Sequence, residues 1–112
     1  MNLDDYQRAA LRTINPALSD RDRLLDAGAG LAEEAAEVLG LIRKRVFHQR
    51  DVDEARLVEE LGDALWCLAV ASHSLGFSLS NVAAANLSKL ADRHPNGFSA
   101  GHDPGGYGPK LV

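Results

Sequence analysis

A chain of 112 residues with a net charge of −4 is sized for one domain and lacks the basic surplus of a nucleic-acid backbone binder. It is 46% hydrophobic and 25% charged, ordinary globular proportions, and no apolar run approaches the length of a membrane span. The polar, acidic Met1–Tyr6 has no signal-peptide pattern and the single Cys67 excludes an internal disulfide. The expectation is therefore a cytoplasmic protein with neither membrane nor nucleic-acid partners and a buried, reduced thiol.

Asn2 caps a first helix that reaches about Thr13, with Asp4 and Asp5 in its first turn and a short apolar stripe at Leu3, Tyr6, Ala10 and Ile14. Asn15-Pro16 breaks it. From Ser19 the chain is charged, then turns apolar at Leu24 and Leu25. Gly28 and Gly30 in this approach either interrupt the second helix or permit close packing. That helix continues to about Phe47, where Arg43, Lys44 and Arg45 suit the negative end of its dipole. His48–Asp53 is the connection, and Asp51 or Asp53 caps a third helix that runs to about Leu75. The third helix is strongly apolar after Asp63, so it reads as the most buried element, with Trp66 a packing residue. Gly76 stops it, and Ser78 or Ser80 caps a fourth helix over Leu79–Arg93 that Pro95 ends. Residues 1–98 thus form an all-α helical domain, and 99–112, with four glycines and two prolines, a tail without regular structure.

The second and third helices share a motif. Leu31–Leu39, LAEEAAEVL, is echoed by Leu57–Leu65, LVEELGDAL, at an offset of 26 positions. Helical spacing puts Leu31, Ala35, Val38 and Ile42 on one stripe, and Leu57, Leu61, Ala64 and Leu68 on another. Glu34 and Glu37 lie on the flank of the first stripe, Glu60 and Asp63 on the same flank of the second. If the stripes pack together, four carboxylates converge. Like charges about 4 Å apart repel by roughly 1 kcal/mol in water and more near a protein surface, so such a cluster requires a cation. Oxygen-only ligands suit Mg²⁺, with Mn²⁺ the alternative. A solvated pair of helix faces is the competing reading. A di-iron site wants Glu-x-x-His, and no Glu here has a His three residues on. Asn86, Lys89 and Arg93 line one polar face of the fourth helix, which suits either a polyphosphate or a solvated helix end.

Glu33-Glu34-x-x-Glu37, then Glu60-x-x-Asp63, then Asn86-x-x-Lys89 followed by Arg93, Pro95 and Gly97-Phe98, form an ordered pattern. Over roughly Leu3–Phe98 it resembles the MazG-like nucleotide pyrophosphohydrolases. The resemblance implies a four-helix bundle-type domain that works as a homodimer or homotetramer, with sites at or near subunit contacts. It implies Mg²⁺ ligands at Glu34, Glu37, Glu60 and Asp63, an auxiliary carboxylate at Glu33, phosphate contacts from Lys44, Lys89 and Arg93, and nucleotide positioning by Asn86. The implied reaction is cleavage of a nucleoside triphosphate, (d)NTP, to the monophosphate and pyrophosphate, in clearing or trimming nucleotide pools. Rival readings are a related all-α phosphohydrolase acting on dUTP/dUDP or phosphoribosyl-ATP, and a non-catalytic regulatory dimer. No base-reading motif stands out among His48, Trp66 and Asn81.

Overall fold

Capping side chains decide where the first three α-helices begin. In the computed structural model, which describes residues 1–49, 51, 53–98 and 100, the Asn2 side chain accepts the Asp5 N–H at 2.8 Å and starts α1, Leu3–Ala10. A 3₁₀ turn, Leu11–Thr13, follows, so the expected first helix tightens in its last turn. Ser19 Oγ accepts the Asp22 N–H at 3.1 Å and opens α2, Asp20–Val46. Asp53, rather than Asp51, caps α3, Glu54–Ser74, by accepting the Ala55 N–H at 3.0 Å. Gly76 takes the left-handed conformation at φ +84°, and the Phe77 N–H reaches back to the Ser72 carbonyl, which closes α3. The last helix, α4, spans Leu79–Arg93 as expected. The protein is all-α, with no strand among the described residues. The expected tail from 99 lies outside the described residues apart from Ala100.

Met1–Leu79 form one compact unit and the residues from Ser80 another. In the first, α2 and α3 pack as an antiparallel hairpin. Arg45 pairs with Glu54 at 3.3 Å beside the connection, Glu37 meets Glu60 midway, and Gly30 lies against Cys67 farther on. A Cβ at position 30 would stand 3.1 Å from Cys67 Sγ, so here the glycine serves close packing and the helix runs through it unbroken. Gly28 faces open space.

The seam differs from the expected stripes. Ala27, Leu31, Glu34, Val38 and Leu41 of α2 turn inward, opposite Leu57, Glu60, Ala64, Cys67 and Ala71 of α3. Steps of four and three repeat on both sides, the pattern of a coiled-coil seam. Ala35, Ile42, Leu61 and Leu68, expected inside, are exposed. Each helix carries two adjacent apolar stripes. The stripe that packs here is the one whose small residues let the backbones approach.

Gln7 fastens α1 to this hairpin. It is buried, donates from Nε2 to the Ala69 carbonyl at 3.0 Å and the Phe77 carbonyl at 3.3 Å, and accepts the Leu79 N–H at 2.9 Å. Ala69 and Val70 are fully enclosed, in keeping with the expectation for α3. In the second unit, Leu87, Leu90 and Ala91 of α4 line a shallow apolar cleft with Gly97 and Phe98.

Candidate functional site

The rotation of the seam brings Glu34 and Glu60 into the helix–helix contact itself. They occupy the same place in the repeat, each between two inward aliphatic positions, and both are half-buried. Glu37, one turn along α2, is exposed beside them. One carboxylate oxygen from each of Glu34, Glu37 and Glu60 lies within 4.8 Å of the other two.

The electrostatics follow from that crowding. When all three are ionised none has a proton to offer, and Oε2 of Glu34 and Oε2 of Glu60 are buried without a hydrogen-bond partner. Glu37 is held above the usual carboxyl value, first by a hydrogen bond with Glu60 that needs a shared proton and then by the charge of Glu60. Glu60 is raised as well, chiefly by the corresponding bond with Glu34. Buried acceptors with nothing to accept are costly, and what satisfies them is a proton or a cation. Carboxylates alone form a hard donor set, which fits Mg²⁺ or Mn²⁺ and not a thiophilic metal.

Asp63, one turn past Glu60, is exposed and stands outside that trio. It faces a cleft of about 250 Å³ between α2 and α3, together with Glu33 and Glu34. The same cleft is lined by Asp26, Ala29 and Gly30 of α2 and by Trp66 and Cys67 of α3. Trp66 is half-buried and its indole N–H donates to Thr13 Oγ1 at 2.8 Å, so the ring is both packed and presented to the cleft. The Cys67 thiol is pushed up by burial first, then by Glu34 and Asp63, and it stays protonated, a packing group and not a nucleophile. The Tyr6 phenol of α1 is raised by burial and by Asp63, and so remains a neutral O–H near that carboxylate.

Four more residues were expected at the site. Lys44 is exposed on the last turns of α2, Asn86 and Lys89 are exposed on α4, and Arg93 ends α4 half-buried. Sequence reasoning missed Asp26, Thr13 and Tyr6. Asp26 was discernible: it lies seven positions before Glu33, two turns along one helix face. Thr13 and Tyr6 reach the site from another segment, and no local pattern signals that.

Fold and site together define an all-α protein with a carboxylate cluster set into the seam of two antiparallel helices. The family model of the MazG nucleotide pyrophosphohydrolase domain matches residues 24–98, which takes in every acidic residue of the cluster, and the chain belongs to that family. Members typically use a divalent metal, in agreement with the donor set formed by Glu34, Glu37 and Glu60. No curated protein and no solved structure matches the chain. Among the described residues no single helix is long and apolar enough to cross a membrane.

Proposed function

We propose that this chain is a cytoplasmic, Mg²⁺-dependent nucleoside triphosphate pyrophosphohydrolase that clears or trims nucleotide pools, with Mn²⁺ able to substitute. The observation that carries the reading is the pair of buried, unpartnered oxygens on Glu34 and Glu60 at the centre of the acidic trio. Glu34, Glu37, Glu60 and Asp63 would hold the metal. Bound there, it would neutralise phosphate charge and lower the pKa of a coordinated water. The chain's own groups do the rest. Glu33, on the cleft wall, is the carboxylate left to orient the attacking water and accept its proton. Water adds at the α-phosphorus, the bond from that phosphorus to the α–β bridging oxygen breaks, and pyrophosphate leaves with the electron pair. Lys44, Lys89 and Arg93 carry the cationic chemistry that this departing charge calls for, and Asn86 can hydrogen-bond the nucleotide.

The test is pyrophosphate release from a panel of canonical and modified NTPs and dNTPs, with Mg²⁺ and with a chelator. Metal-dependent release from one or a few of them is expected. Silence across the panel from folded protein would overturn the reading in favour of another phosphohydrolase substrate or a regulatory role.

Homodimerisation, or assembly into a homotetramer, is the second part of the proposal. Its support is the apolar stripe left outside the seam: Leu39, Ile42 and Val46 of α2 and Leu61, Leu65 and Leu68 of α3 are all exposed. Fully burying one such side chain is worth about 1.5–3 kcal/mol, so covering six from each copy is a strong drive to associate. Leu61→Asp is expected to weaken association at least about a hundredfold, because a two-fold contact carries the substitution twice. Sedimentation velocity of the two proteins checks this, and an unchanged oligomer would place the contact elsewhere.

A further inference from the structure

We propose that the cleft between α2 and α3 receives the nucleoside, and that Asp26 at its far end selects nucleobases carrying an exocyclic amine. The inference rests on the nucleotide reading above and adds which base. Asp26 and Glu34 bracket the α2 wall of the cleft. Eight residues of helix separate them, about 12 Å along the axis, a span that a nucleoside monophosphate covers from α-phosphate to the outer edge of its base. The volume, about 250 Å³, falls just below the roughly 300–1,000 Å³ of typical small-molecule pockets. It suits a base with its sugar, and leaves the polyphosphate outside beside the carboxylates.

The walls differ in a way that suits a flat ring. Ala29 and Gly30 bring almost no side-chain bulk from α2. From α3, Trp66 brings an indole that Thr13 holds in place through its ring N–H, which leaves the ring face as what it can offer. Base–aromatic stacking of this kind is indifferent to sequence, so discrimination must come from a polar group. At the end remote from Glu34, Asp26 is the charged group on the cleft wall among the described residues.

An ionised carboxylate only accepts hydrogen bonds. Cytosine, adenine and guanine each present an exocyclic amine to such an acceptor. Uracil and thymine present a single ring N–H between two carbonyl oxygens, so the carboxylate gains one bond and faces two like-charged acceptors. Repulsion from those two flanking oxygens largely offsets the single bond, and the amine-bearing bases gain a preference of about tenfold or more.

The test needs no turnover. Trp66 is the sole tryptophan, so quenching of its fluorescence reports binding in the cleft directly. With Mg²⁺ present, dCMP, dAMP and dGMP are expected to bind about tenfold or more tighter than dUMP and dTMP. Asp26→Ala should level the five. Asp26→Asn, whose amide can also donate to a base carbonyl, should shift preference toward dUMP and dTMP. Asp26 is exposed, and circular dichroism identifies variants that keep the fold. Equal binding of all five by the unaltered protein, or a preference that survives Asp26→Ala, overturns the inference. Metal-dependent pyrophosphate release without quenching by any monophosphate also overturns it, yet leaves the hydrolase reading standing. Selective quenching without release from any triphosphate supports the pocket while the hydrolase reading fails.

Discussion

Glu60→Gln is expected to cut pyrophosphate release at least about 10²-fold and, in the same protein, to raise the melting temperature measured without metal. The first effect follows from its place. Glu60 is the seam carboxylate that meets both Glu34 and Glu37, and losing one preorganised charge contact in a site of this type typically costs 10²- to 10³-fold. The second follows from repulsion. Without a cation the three carboxylates crowd one another, and an amide at position 60 both removes a charge and supplies the donor that Oε2 of Glu34 lacks. Metal should then stop stabilising the protein. A site filled at 100 times its dissociation constant contributes about 2.7 kcal/mol, and most of that shift should vanish in the variant.

The pH dependence has a definite sign. Glu37 and Glu60 have folded-state values above the usual 4.5, so the fold favours their protonated forms. Their contribution is complete below pH 4.5 and is lost as pH rises through the raised values. Metal-free protein should therefore lose stability over that window, Glu60→Gln should flatten the loss, and saturating Mg²⁺ should oppose it. Thermal melts at several pH values, with chelator and with Mg²⁺, measure all three. Retained turnover together with a lower metal-free melting temperature would refute the site.

Gln7→Ala is expected to be the most damaging single change to the fold, at about 3–5 kcal/mol. The side chain is 6% exposed and its amide serves three backbone groups at once: the Ala69 and Phe77 carbonyls and the Leu79 N–H. Alanine leaves the buried Leu79 N–H without its partner, at about 1–3 kcal/mol, and takes one hydrogen bond from each carbonyl, at about 0.5–1.5 kcal/mol apiece. Against a typical total of 5–15 kcal/mol this loss is severe. Gln7→Glu should do little better, because a carboxylate can accept from Leu79 but faces two carbonyls it cannot donate to. Urea denaturation followed by circular dichroism checks both, with a lower midpoint and an unchanged slope as the expected signature. A loss under about 1 kcal/mol would mean that water replaces the side chain at those groups.

Local features were legible in the order of the residues. Asn2, Asp53 and Gly76 act within one turn of themselves, so their capping and stopping roles could be read from neighbours alone. The same holds for Glu34 with Glu37 and Glu60 with Asp63, which helical spacing alone makes neighbours. Which apolar stripe of α2 meets which stripe of α3 depends on how the two helices pack. Leu61 and Ile42 are as apolar as Leu57 and Leu31, and the difference lies in how closely Gly30, Ala64 and Cys67 let the two backbones approach. That choice turns Glu34 and Glu60 from flanking residues into seam residues and strips their inner oxygens of water. It also leaves a second apolar face exposed. The bonds from Gln7 to Ala69 and from Trp66 to Thr13 join residues 62 and 53 positions apart. No periodicity encodes such pairings, because they exist only once the helices have packed.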